Sequence, residues 1–101
     1  MDIRTAVQNN ISTISLKGRF DFAEHLAFSV AVRSLPEDST ITEIKVNLSD
    51  VDYLDSSALG MLLQLREKAK VAGKTVSLAG ATGSVKNVLK IANFEKLFPV
   101  K

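Results

Sequence analysis

The chain contains no cysteine and a single histidine among its 101 residues. Without cysteine there is no disulfide, no thiolate metal site and no thiol nucleophile, which fits a reducing cytoplasm and leaves packing alone to hold the fold. No stretch approaches the roughly 20 uninterrupted apolar residues of a membrane helix. The start, Met1-Asp2-Ile3-Arg4, lacks the charged-then-apolar layout of a signal peptide. These absences predict a soluble, cytoplasmic protein with no stable membrane insertion. His25 falls inside a predicted helix, and there is no G-x-S-x-G elbow, phosphate-binding glycine loop or metal-ligand spacing. The carboxylates Asp50, Asp52 and Asp55 crowd one short stretch, yet that stretch lacks the glycine and distal glutamate of a calcium loop. The expectation is a protein that is not an enzyme and uses no cofactor or metal. Repeats, low-complexity tracts and linkers are also missing.

Apolar side chains make up 46% of the chain, enough for one compact domain spanning residues 1–101. Charge is divided unevenly. Residues 1–60 hold 5 basic and 9 acidic side chains, a balance of −4, whereas residues 61–101 hold 8 and 2, a balance of +6. The lysines of the basic half are scattered over helix faces and turns without the interleaved aromatic platform that single strands favour, so nucleic acid is not expected as a partner.

Periodicity divides the chain into elements. Ile3, Thr5 and Val7 alternate with polar residues, Asn9-Asn10 supplies a turn, and Ile14 and Leu16 resume the alternation, which predicts a hairpin whose second strand ends at Gly18. Asp21 followed by Glu24 resembles a capping box. Phe22, Leu26, Ala27, Val30 and Ala31 then recur at helical spacing until Pro36 stops the run, predicting a first helix. Ile44, Val46 and Leu48 predict a strand leading into a short Asp-rich loop. Ala58, Leu62, Leu65, Ala69 and Ala72 place an apolar stripe on a second helix that Gly73 closes in a left-handed conformation. Val76 and Leu78 mark another strand, and Val85, Val88, Leu89 and Ala92 a third helix ending near Asn93. Phe94, Leu97, Phe98 and Val100 form an apolar tail, either a last helical turn or a short edge strand. Strand and helix alternating after a hairpin predicts an α/β fold: a mixed sheet of four to five strands with about three to four helices packed against it.

One junction concentrates the chemistry. Residues 46–60 carry a strand into a helix through three carboxylates and two serines, Ser56 and Ser57. A helix N-terminus presents unpaired N–H groups and partial positive charge, so it accepts a hydroxyl or carboxylate cap and also accommodates a phosphate. Helix physics alone is satisfied if Asp55 or Ser56 simply caps, with Leu54 and Leu59 as ordinary core residues.

Asp55-Ser56-Ser57-Ala58-Leu59-Gly60 resembles the D-S-[ST]-[GA]-[LI]-G signature of STAS domains, and more narrowly that of bacterial anti-sigma factor antagonists. Gly18-Arg19-Phe20-Asp21 resembles the family's G-x-[LFI]-D, Asn47-Leu48 its strand before the switch loop, and Leu97-Phe98-Pro99-Val100 its closing L-F-x-[VI]. The likeness implies a STAS fold and a partner switch. The unphosphorylated protein binds an anti-sigma factor with an ATP-binding domain that is also a serine kinase. Phosphorylation of Ser56 ends the binding, and a PP2C-type serine phosphatase reverses it. It also implies a partner-binding surface of Asp21, Asp52, Asp55, Ser56, Ser57, Leu59 and Gly60, with Thr82 and Gly83 bordering it. Asp21 fits equally well as a helix cap. Ala58 departs from the glycine common in antagonists, and the chain ends sooner after Phe98 than many relatives do. The alternative is a constitutive STAS scaffold subunit of a larger complex, for example in lipid transport, using the same surface without phosphorylation.

Overall fold

A computed structural model describes residues 1–100. The hairpin forms first in the chain: β1 (Asp2–Gln8) and β2 (Ile11–Phe20) pair antiparallel, with Gln8 opposite Ile11. Asn9 and Asn10 both take positive φ, 54° and 66°. That two-residue geometry matches the twist of the flanking strands, and asparagine enters it more readily than other non-glycine residues. β3 (Glu43–Leu54) and β4 (Thr75–Ala79) then add in parallel, giving the order β1-β2-β3-β4. Parallel neighbours need crossovers, and helices supply them: α1 (His25–Val32) between β2 and β3, and α2 (Ser56–Val71) between β3 and β4. α3 (Gly83–Ile91) follows β4. The fold is thus the expected mixed sheet beginning with a hairpin, with four strands and three α-helices.

The core lies between the sheet and these helices. Ile14, Leu16, Ile44, Val46 and Leu48 are 0–1% exposed and alternate with more open neighbours along β2 and β3, whereas Val76, Ser77 and Leu78 are buried in succession on β4. The apolar side chains among these meet Ala58, Met61, Leu62, Leu65 and Ala69 of α2 and Phe28 and Val32 of α1. Each fully buried aliphatic or aromatic side chain of this kind stabilises the fold by about 1.5–3 kcal/mol. α2 closes as expected. Gly73 is left-handed, and the N–H groups of Gly73 and Lys74 donate to the carbonyls of Lys70 (3.0 Å) and Ala69 (2.8 Å). Ala72, placed in the stripe from sequence, falls in this closing turn and is exposed.

Four sequence expectations are corrected. β2 does not end at Gly18 but continues to Phe20, and Gly18 sits at an irregularity with φ +103°. The Asp-rich stretch is not a loop. It is the second half of β3, paired to β2 through two bulges, each inserting one extra residue on β3, so alternation is lost although the ladder continues. Leu54 ends that strand, and Asp55 alone joins it to α2. The first helix buries Phe28 and Val32, while Phe22, Leu26 and Val30 are 69%, 70% and 56% exposed. It stops at Val32, and Pro36 lies beyond it, buried in a separate 3₁₀ turn (Leu35–Glu37). Asp21 is a cap, but Glu24 does not reach back to complete a box. Its carboxylate instead accepts from the Met1 amine at 3.2 Å.

The apolar tail uses both of its open possibilities. Phe94–Lys96 is a 3₁₀ turn that stacks Phe94 on Phe98, both buried, with ring centroids 5.2 Å apart. Val100 then bridges in parallel to Leu78, whose N–H donates to the Pro99 carbonyl at 2.9 Å.

Candidate functional site

β2 and β3 end side by side, and this brings two aspartates together that are 34 positions apart in sequence. Phe20 pairs with Leu54, and the Asp55 N–H donates to the Phe20 carbonyl at 3.4 Å. Each strand then enters its helix through one aspartate. The Asp21 carboxylate accepts from the Ala23 N–H at 3.1 Å, opening the 3₁₀ turn (Phe22–Glu24) that leads into α1. Asp55, extended at φ −110° and ψ −177°, accepts from the Ala58 N–H at 2.9 Å through Oδ1. Its Oδ2 accepts from the Phe22 N–H at 3.2 Å. One carboxylate therefore caps α2 and ties it to the start of the α1 segment.

That division of labour decides what Ser56 does. With Asp55 as the cap, Ser56 is the first residue of α2, exposed, and its hydroxyl enters none of the hydrogen bonds among the described residues. The N–H groups of the first helical turn have no intrahelical acceptor, and Asp55 takes only that of Ala58. Ser57 is half-buried, Ala58 fully buried, Leu59 packed half-buried against the core, and Gly60 exposed one turn beyond Ser56. A β-carbon built on Gly60 meets nothing within 4 Å. Folding does not demand a glycine there, and in a helix interior glycine costs about 0.5–1 kcal/mol relative to alanine.

Two residues that the sequence did not assign to the site lie beside it. Arg19 donates from Nε to Asp21 at 3.0 Å and lies 4.0 Å over the Tyr53 ring. Arg19 and Tyr53 face each other across β2 and β3 only because of the second bulge, so sequence spacing offers no signal for the pair. Asp52 is the extra residue of that bulge and is exposed. Asp50 does not join the cluster: it pairs with Lys17 and lines a depression with Asp2 and Arg4. Asp21 and Asp55 lie where β2 and β3 end, and Asp52 stands exposed three residues before Asp55. Among the described residues no three His, Cys, Asp or Glu side chains converge to hold a metal ion.

Thr82 and Gly83 lie beyond the end of β4, both exposed at the head of α3. β4 ends beside Asn47, seven residues before Leu54, and the loop beyond it packs on that earlier part of β3. A β-carbon on Gly80 would come within 2.9 Å of Asn47 Oδ1 and Ser49 Cβ, and φ there is +75°. Because β4 runs parallel to β3, Thr82 and Gly83 follow at the same end of the sheet as Asp55 and Ser56. No helix among the described residues is long and apolar enough to cross a membrane.

Residues 3–99 match the family described as "Mlab, STAS domain". A STAS-domain containing protein of Pseudomonas aeruginosa (strain UCBPP-PA14) is 44% identical over 90 residues, covering 87% of this chain and 85% of the relative. Among solved structures, an anti-sigma factor antagonist from Mycobacterium paratuberculosis superposes with a TM-score of 0.86 at 22% identity, covering 98% of this chain and 83% of its own. The Bacillus cell fate determinant SpoIIAA in its phosphorylated form gives 0.76 at 15% identity, over 99% and 91%. A sulfate transporter family protein from Wolinella succinogenes gives 0.78 at 15%, over 94% and 79%. The hairpin-led mixed sheet, the aspartate-capped helix bearing Ser56 and the match along nearly the whole chain place this protein in the STAS domain family.

Proposed function

We propose that this protein is a non-enzymatic partner-switching regulator whose switch is Ser56. Unphosphorylated, it binds an anti-sigma factor with an ATP-binding domain that is also a serine kinase. Phosphorylation of Ser56 releases it, and a PP2C-type serine phosphatase restores binding. The observation that carries this reading is that Asp55, not Ser56, caps α2, leaving an exposed hydroxyl with no structural task at the head of a 16-residue helix. Likeness to the fold of a protein solved in its phosphorylated form supports it.

The chemistry of the switch follows from the surroundings. A phosphate adds about −1.5 to −2 charges at neutral pH. The helix N-terminus stabilises that charge locally, while the charge adds to the neighbouring carboxylates of Asp52 and Asp55 and to that of Asp21, which Arg19 partly neutralises. The fold therefore persists, and the docking surface changes in charge and bulk. Gly60, one turn along the same helix, leaves room for a partner to approach the backbone.

Incubation with the cognate kinase and ATP, followed by intact-mass spectrometry, is expected to show one phosphate that Ser56→Ala abolishes. Ser56→Asp is expected to weaken binding to the kinase. A second reading, a constitutive scaffold subunit, is favoured by the likeness to a sulfate transporter family protein. No kinase-dependent phosphate, together with undiminished binding by Ser56→Asp, selects that scaffold.

A further inference from the structure

The outer face of α1 is apolar without a covering. Leu26 and Val30 stand one turn apart on it, 70% and 56% exposed, opposite the buried Phe28 and Val32, and Phe22, 69% exposed, precedes them in the 3₁₀ turn that leads into the helix. A helix exposed on one side ordinarily carries polar residues there, and an exposed apolar band of this kind marks an interaction surface. The next row is made only of alanines: Ala27, exposed, and Ala31, half-buried. A ridge of large side chains thus runs beside a groove of small ones.

We infer that this face pairs two copies of the chain about a two-fold axis close to Leu26. In such a pair the Leu26-Val30 ridge of each copy enters the Ala27-Ala31 groove of the other, the interdigitation of i±4 rows that is the commonest way helices pack, with Phe22 extending the apolar contact from the 3₁₀ turn. Charge fits the same symmetry. Asp21 and Asp55 lie at the Phe22 end, and the Phe22 N–H is bonded to Asp55. Arg33 follows the Val30 end, exposed and in no salt bridge among the described residues. A two-fold axis at the middle brings Arg33 of one copy toward the acidic end of the other, and it sets the two helix dipoles antiparallel. Another protein's helix would have to supply ridge, groove and both charges independently. A second copy supplies all of them from one surface, as a two-fold interface requires.

Sedimentation equilibrium on the wild-type chain, from about 10 to about 500 µM, tests the pairing. The expected mass rises toward about 22 kDa, twice the 11.0 kDa of the chain. Leu26→Lys and Ala27→Gln, one removing the ridge and the other filling the groove, are each expected to weaken association at least about 30-fold. Arg33→Asp is expected to weaken it more at low salt than at high salt. Circular dichroism shows that the variants remain folded. Because the chain has no cysteine, Leu26→Cys is expected to oxidise to a disulfide-linked dimer, whereas Val71→Cys, at an equally open position on α2, is not. A wild-type chain that stays at 11.0 kDa throughout, or a dimer indifferent to Leu26→Lys and Ala27→Gln, overturns the inference. These readouts are of mass and do not depend on Ser56, so they succeed or fail apart from the phosphorylation switch.

Discussion

α1 and α2 cover the same sheet, but only α2 shows its inner face in its sequence. Ala58, Met61, Leu62, Leu65 and Ala69 of α2 are buried, while Gln64, Glu67, Lys68 and Lys70 face water. Periodicity then has one reading, because burying a charge without a partner is costly. α1 is apolar on both sides, and two stripes of similar hydrophobicity compete for the core: Phe22-Leu26-Val30 and Phe28-Val32. The larger stripe by count is the outer one. Hydrophobic spacing therefore locates a core face when the opposite face is polar, and it locates an apolar row without saying which way it points when that face is apolar too.

The strongest way to break this comparison is to truncate each face of α1 in turn. Phe28→Ala is expected to destabilise the protein by about 3–5 kcal/mol, because it removes a buried ring packed 5.1 Å from Phe20 and leaves a cavity. Leu26→Ala is expected to change stability by less than about 0.5 kcal/mol at concentrations where the chain is monomeric. Urea unfolding of the two variants, with m-values compared, settles which stripe is the core. Equal losses would erase the difference between the faces.

A second contrast separates the two neighbours at the head of α2. Asp55→Ala is expected to cost about 0.5–2 kcal/mol, since it removes the cap on Ala58 and the link to Phe22, whereas Ser56→Ala stays within about 0.5 kcal/mol. Thermal or denaturant unfolding measures both. A Ser56→Ala loss as large as that of Asp55→Ala would mean that the serine holds the helix after all.

Gly60→Ala sharpens the division between folding and docking. Since nothing lies within 4 Å of the added carbon, it is expected to raise stability by about 0.5–1 kcal/mol while weakening the partner that binds at Ser56. Unfolding and pull-down with the kinase report the two halves.

The smallest effect concerns Asp38, in the turn that leads to β3. Hydrogen bonds from the Thr40 hydroxyl (2.6 Å) and N–H (2.9 Å) hold its carboxylate below the usual value of 3.8, helped by Lys74 and opposed by slight desolvation. A depressed folded-state pKa contributes stability that is present above 3.8 and is lost as pH falls through the lower folded value. Asp38→Asn is therefore expected to flatten the acid limb of stability slightly below that pH, as read by unfolding midpoints.

The strand-to-helix junction was legible because several local signals coincide there. An apolar alternation ends, a carboxylate and two hydroxyls follow, and helical spacing begins at Ala58, so a strand-to-helix joint with a cap can be read from Val46 to Gly60 alone. Which of Asp55 and Ser56 caps was not legible. Both are good capping residues, and the choice follows from backbone angles at Asp55 and from the Phe22 N–H that its second oxygen also accepts. The acidic stretch was misread as a loop because two bulges spoil its alternation while leaving it paired to β2.

Taken alone, the sequence determined the order of elements, the asparagine turn, the inward face of α2 and the place where chemistry gathers. Each depends on contacts within a few residues or on one unambiguous polar face. The tertiary structure decided the rest. It set which side of α1 is buried, that Asp21 and Asp55 meet where β2 and β3 end, and that Arg19 lies over Tyr53. Those outcomes depend on the register of β2 against β3. Strand register is fixed by packing between segments tens of residues apart, and no local pattern encodes it.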